Sequence, residues 1–252
     1  MPQTTTSRRI RLGIIVPSSN TALEPISQEI VSDVSTANEQ ITVHFARFRV
    51  TKIDMSIESD KQFSLAPMLE AASYLADARV DMIGWSGTSA AWLGFETDEN
   101  LCYKITAVTG VPATTSIIAM REKINSSGAT NIGVLTPYSS DVNAAIIETF
   151  ASAGLDASES RSQCSKLSTN YDFAGVTEVD LDCMVANLSA SGTETVLVIC
   201  TNLHAARMAK TWEDTYGVIV FDSVATVIRG MLSRLEVDMS PLGKKWGSVF
   251  KK

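Results

Sequence analysis

Cys200 closes the apolar run Val196-Leu197-Val198-Ile199-Cys200 and is followed at once by Thr201 and Asn202. A thiol at the end of an apolar strand is usually an inert packing residue. Here the two hydrogen-bonding residues after it mark a turn where a proton can be held and moved. A similar run, Met82-Ile83-Gly84-Trp85, ends in Ser86-Gly87-Thr88-Ser89. There Gly87 stands where the thiol would be. A thiol matched to a glycine in two similar segments points to proton chemistry from one side only.

Other residues of chemical interest cluster at comparable strand ends. Pro17-Ser18-Ser19-Asn20-Thr21 follows the first apolar run. Thr21 with Glu24 fits a capping box, while Ser18, Asn20 and the turn amides could face an anion at a helix N-terminus. Gly87-Thr88-Ser89 offers two hydroxyls and free amides, a pattern that serves either capping or anion binding. Tyr138 follows Thr136-Pro137 and brings a phenol to the position matching Ser18. Cys102, Cys164 and Cys183 end no such strand and read as bland thiols. His204 is close enough in sequence to tune Cys200, although a surface or capping role suits a lone histidine better. Glu96, Asp98 and Glu99 read as a solvated helix start. Trp85, Trp92 and Phe95 surround the Gly87 turn as wall or core residues.

The elements that must position these residues alternate along the chain. Strand-like runs are Ile10–Val16, Ile41–Phe48, Val80–Trp85, Ile132–Thr136, Val196–Cys200 and Val218–Phe221. Helical patterns lie between them at Gln62–Ala78, Ser139–Ala153, Leu181–Ser189 and Ala205–Tyr216. This order predicts parallel sheets covered by helices, with ligands beyond the carboxyl ends of the strands. The chain also echoes itself. Leu12-Gly13-Ile14-Ile15-Val16-Pro17-Ser18 resembles Ile132-Gly133-Val134-Leu135-Thr136-Pro137-Tyr138, and Gly110-Val111-Pro112 resembles Gly217-Val218-Ile219. With Gly87 matching Cys200, three echoes in one order predict two related α/β halves facing across a cleft. The expected division is 1–115 and 116–222, with a C-terminal helix over 223–252 packing back on the first half.

The 252 residues are 45% hydrophobic and 19% charged, the profile of a globular protein with a large core. A net charge of −7 argues against a phosphate-backbone partner, so no nucleic acid is expected. Four cysteines without a C-x-x-C pair, and two histidines, make no zinc set, so no metal is expected. Arg8, Arg9 and Arg11 precede an apolar stretch of Leu12 to Val16 that is too short for a signal peptide or a membrane span. The expectation is a cytoplasmic protein with no membrane partner. Monomer and homo-oligomer stay open.

Together, Val16-Pro17-Ser18-Ser19-Asn20-Thr21, Gly87-Thr88-Ser89, Thr136-Pro137-Tyr138 and Cys200-Thr201-Asn202 resemble the aspartate/glutamate racemase superfamily, which includes maleate cis-trans isomerases and arylmalonate decarboxylases. The resemblance spans almost the whole chain. It implies two pseudo-symmetric flavodoxin-like parallel-sheet halves, an active-site cleft between them, no cofactor and a small dicarboxylate substrate. Superfamily members place up to two cysteines on opposite faces of the cleft, and Gly87 occupies the first of those positions here.

A Gly-Thr-Ser turn facing a single cysteine resembles the arylmalonate decarboxylases most. That likeness implies a dioxyanion hole made by Thr88, Ser89, Tyr138 and the backbone around Cys200 and Thr201. Cys200 would donate the proton, with a pKa near the ordinary thiol value of about 8.5. The Pro17 to Thr21 turn and Cys200-Thr201-Asn202 resemble the isomerases more, so Asn20 and Asn202 are expected as extra polar contacts to a more polar diacid. The alternatives are a maleate isomerase or racemase using Cys200, and a non-enzymatic carboxylate-binding protein. Beside the isomerase or racemase reading stands the expectation that Gly87→Cys would confer racemisation by supplying the missing second thiol.

Overall fold

A computed structural model of the chain describes residues 8–251; the expected segments at 1–7 and 252 lie outside the described residues. The alternation is realised as eight strands: β1 (Arg8–Pro17), β2 (Glu39–Phe48), β3 (Met82–Trp85), β4 (Ala113–Thr115), β5 (Ile132–Thr136), β6 (Ala157–Cys164), β7 (Thr195–Val198) and β8 (Ile219–Asp222). They form two four-stranded parallel sheets, ordered β2-β1-β3-β4 and β6-β5-β7-β8. The second sheet repeats the first position for position, so the sequence echo is a repeat of topology.

Two of these strands carry no hydrophobic signal. β4 has three residues, and β6, Ala-Ser-Glu-Ser-Arg-Ser-Gln-Cys, is a half-exposed edge strand held by backbone hydrogen bonds to β5. β7 is shorter than its apolar run suggests. It stops at Val198, so Cys200 lies in the turn beyond the strand, carried there by Ile199, whose N–H still reaches Leu135 O at 2.9 Å.

The helices that leave each sheet are exchanged. Helix Ser223–Arg234 starts at the end of β8, where Asp222 accepts hydrogen bonds from the Val224 and Ala225 amides at 2.8 and 3.0 Å. It then packs on β3 of the other half. Gly84 is required there, because a Cβ would lie 2.6 Å from Met231 Sδ and 2.9 Å from Val227 Cγ2. Helix Ser116–Ser127, capped by the Thr115 hydroxyl, makes the reciprocal move, and its Lys123 Nζ sits 5.9 Å from the Phe221 ring of β8. The Thr226 hydroxyl joins the two helices by donating to Ser116 O at 3.2 Å.

The segment expected as one helix over 223–252 is α-helical only to Arg234. Glu236 adopts a left-handed φ of 55°, and Asp238 accepts the Ser240 amide in a turn before Pro241, which has no amide hydrogen to continue a helix. Short 3₁₀ turns follow at Leu242–Lys244 and Ser248–Phe250. This tail touches both halves. The Trp246 indole donates to Asp33 Oδ2 at 2.7 Å, and the Ser248 amide donates to Glu213 Oε1 at 2.8 Å. Among the described residues, no helix is long and apolar enough to cross a membrane, and no three His, Cys, Asp or Glu side chains converge as metal ligands.

Candidate active site

The loops that follow β2 and β6, equivalent in the repeat, meet over the strand ends. Lys52 and Thr169 form an isolated antiparallel bridge, with Ile53 N–H donating to Ser168 O at 2.8 Å and Asn170 N–H to Thr51 O at 2.9 Å. Beneath this bridge lies a small cavity of about 10 Å³, room for about one water molecule, so a substrate must spread its walls. It gathers Pro17, Gly87, Thr88, Ser89, Tyr138, Cys200 and Thr201, all expected from the sequence. Val50, Ile53, Phe63, Trp85, Trp92 and Asn170 complete the wall. None of these side chains is charged, and all the lining residues are buried except Phe63, which is partly exposed.

Cys200 is 2% exposed and belongs to no disulfide. Its sulfur accepts the Asn202 amide at 3.3 Å, and the Tyr138 hydroxyl lies close enough to favour the thiolate. Tyr138 shares a 2.7 Å hydrogen bond with the Thr88 hydroxyl, which joins the two halves beside the thiol. Burial pushes the Cys200 pKa up to about 12, opposed by the two donors and reinforced by Asp222. This is above the ordinary value expected from the sequence, and it keeps the thiol protonated at neutral pH. Burial likewise holds Tyr138 well above a free phenol.

Ser18, Asn20 and Asn202 do not line the cavity. Ser18 is exposed, and its hydroxyl donates to Val50 O at 3.2 Å and accepts Val50 N–H at 3.1 Å, fixing the turn after β2. Asn20 uses its carbonyl to cap the Ala22 and Leu23 amides, both at 3.0 Å, and its amide to donate to Thr201 Oγ1 at 3.1 Å. Asn202 accepts from the Thr21 and Ala22 amides at 2.9 and 3.2 Å and donates to Asn170 O at 2.5 Å. Asn20 and Asn202 latch one half to the other, and the polar groups of all three side chains are already engaged. The expected Thr21–Glu24 capping box is absent for the same reason. Asn20 and Asn202 satisfy the helix-end amides, while Glu24 pairs with Arg47 at 2.7 Å.

The surrounding candidates separate in the same way. Trp92 joins the wall, edge-on to Phe63 at 5.7 Å and to Tyr138 at 5.5 Å. Phe95 packs on Phe150 at 5.3 Å, away from the cavity. His204 contacts Arg207 at 3.2 Å, and Arg207 pairs with Glu29, so this histidine takes no role in tuning Cys200. Asp98 is 2% exposed rather than solvated, because helix Phe95–Thr109 turns it inward to Thr115. Asn170 and the wall residues Val50, Ile53 and Phe63 carry no signal in the sequence, since their loops have no periodicity.

The assembled groups are a neutral thiol, three hydroxyls, a phenol and a carboxamide among apolar and aromatic walls. They can hold carboxylate oxygens by hydrogen bonds and deliver one proton, and they offer no charged partner to a second carboxylate.

The model of the arylmalonate decarboxylase family matches residues 12–246. The chain is 26% identical over 248 residues to a maleate isomerase of Geobacillus stearothermophilus, covering 92% of this chain and 94% of that protein. Its fold is shared by the maleate isomerase Iso of Pseudomonas putida S16, solved as a cysteine-to-alanine mutant with maleate: TM-score 0.84, 21% identity, covering 96% of this chain and 98% of that one. It is also shared by a liganded arylmalonate decarboxylase carrying glycine-to-cysteine and cysteine-to-serine mutations: TM-score 0.75, 15% identity, covering 97% and 99%.

Proposed function

Because the chain belongs to the arylmalonate decarboxylase family, within the aspartate/glutamate racemase-like superfamily, we propose that it is a cofactor-independent decarboxylase of a malonate-type dicarboxylic acid. The observation that carries this reading is a single thiol, protonated by burial, in a cavity without a charged side chain. Thr88, Ser89, Tyr138 and the backbone at Cys200 and Thr201 grip the carboxylate that stays. The other carboxylate lies against apolar wall, where losing its charge relieves an unfavourable environment. The bond between it and the central carbon breaks, carbon dioxide departs, and the electron pair spreads onto the gripped oxygens as an enediolate stabilised by preformed donors. The Cys200 S–H then protonates the central carbon. The Asn202 amide and the Tyr138 hydroxyl stabilise the thiolate left behind until solvent returns its proton.

A second reading is isomerisation of a small unsaturated diacid, with Cys200 as nucleophile. It is favoured by the relative named as a maleate isomerase. It requires a thiolate, which burial opposes.

A proton NMR time course in deuterated water, with malonate, substituted malonates and maleate, separates the two. Monoacids carrying one deuterium at the former malonate carbon are expected. Fumarate from maleate, with every malonate untouched, would replace the decarboxylase reading with the isomerase one. Clear binding of these acids without any turnover would leave a carboxylate-binding protein.

A further inference from the structure

Gly87 lines the cavity wall contributed by the first sheet, and the space where its side chain would stand is taken. A Cβ on Gly87 would fall 2.0 Å from Cζ2 of Trp85 and 2.4 Å from both Cε2 and Cη2. The indole is anchored at the end of a central strand and against one ring. Trp85 is the last residue of β3, in register with Ile15 of β1 and Thr115 of β4, and its ring packs on Phe48 at a centroid distance of 5.2 Å. Trp85 is 1% exposed, and its Nε1–H is buried without a hydrogen-bond partner. Nε1 is bonded to Cε2, one of the atoms crowding Gly87, so this unpaired donor lies on the edge of the ring that meets the Gly87 turn. Buried donors are nearly always paired. Trp85 lines the cavity as well, which puts its ring beside whatever binds there.

We propose that Trp85 is the specificity-determining residue of the Gly87 face. Its indole fills the volume that a second acid–base side chain would need, restricting proton transfer to Cys200, and its N–H donates to a carboxylate oxygen of the substrate. The inference deepens the decarboxylase reading and rests on it only for the carboxylate. It also reverses the expectation that a cysteine at position 87 would suffice for two-sided chemistry, because the indole must be cut back first.

Four proteins test it: the wild type, Gly87→Cys, Trp85→Phe and the double variant. Phenylalanine removes the N–H and shortens the ring. Gly87→Cys is expected to lower Tm by roughly 3–10 °C beside Trp85, the usual range for overpacking in a chain of this size, and by about 2 °C or less beside phenylalanine. If Gly87→Cys alone is insoluble, its rescue by Trp85→Phe supports the proposal. Equal losses, or insolubility, in both backgrounds overturn the steric half. In a ¹H–¹⁵N spectrum the indole resonance missing from Trp85→Phe reports Trp85. It is expected to shift on titration with malonate or maleate, and a resonance unmoved by both up to their solubility limits overturns the donor half. Neither readout needs turnover. Coupled stabilities and a moving resonance without monoacid formation would remove the decarboxylase reading and leave Trp85 in its role. Monoacid formation with independent stabilities and a fixed resonance would do the reverse.

Discussion

At the scale of single residues, the proposed chemistry turns on the state of one sulfur. A nucleophilic cysteine needs a lowered pKa, whereas Cys200 is driven the other way by its enclosure. At pH 8 a thiol with a pKa of about 12 is ionised to roughly one part in 10⁴, against about a quarter for an ordinary thiol. Alkylation by iodoacetamide, mapped by mass spectrometry, is therefore expected to label exposed Cys183 rapidly and Cys200 at least about 10²-fold more slowly, until the protein is unfolded. Rapid labelling of native Cys200 would contradict a protonated thiol. Cys200→Ser keeps the shape and exchanges the thiol for a much weaker acid. Its decarboxylation rate is expected to fall by about 10²–10⁴-fold, the usual weight of a positioned proton donor, with an unchanged thermal transition. Full turnover by that variant would remove Cys200 from the mechanism.

At the scale of elements, the polar residues at the strand ends divide into those that face the cavity and those that fasten the halves. Asn202 serves three backbone groups on two different segments, Thr21, Ala22 and Asn170. Asn202→Ala strands those buried groups, so a stability loss of about 2–4 kcal/mol in urea unfolding is expected. A substrate contact would instead raise KM without that loss. A titration is built into the helix starts as well. Asp98 beside the Thr115 cap, and Asp222 as the cap of helix Ser223–Arg234, are both raised by burial to a pKa of about 7. Their folded values lie above the unfolded value, so the folded state binds more protons in the window from about 4 to 7. The stability they contribute is complete below that window and is lost as pH rises through it. Tm should therefore drop between about pH 4 and pH 7, and Asp98→Asn should flatten the drop. A variant curve parallel to that of the wild type would show that Asp98 does not titrate there.

The same division explains what can be read from sequence. Cys200, Gly87, Thr88, Ser89 and Tyr138 are legible because apolar runs end abruptly in polar residues, and the repeat aligns those ends. Asn20 and Asn202 mislead because a sequence displays a polar group and not the partner that consumes it. β4 and β6 escape detection since neither buries a hydrophobic face, and Val50, Ile53, Phe63 and Asn170 belong to loops that meet only in the folded chain.

At the scale of the whole molecule, two equivalent sheets exchange their last helices, and the C-terminal tail ties the ensemble through Asp33 and Glu213. Neither half buries its sheet alone, so unfolding should be a single transition. Trp246 is 1% exposed at the centre of that tail, and Trp246→Ala is expected to cost about 3–5 kcal/mol while shifting the whole transition. Two separate transitions in calorimetry would mean that the halves fold independently. The bridge between Lys52 and Thr169 reaches further than stability. The cavity beneath it has room for about one water, so a diacid reaches Cys200 only when the wall residues, Val50, Ile53 and Asn170 of the bridged loops among them, move apart. On the proposed function that motion drags loops through solvent in every turnover, and kcat is expected to fall as sucrose thickens the medium; a kcat indifferent to viscosity would show that the motion does not limit the rate.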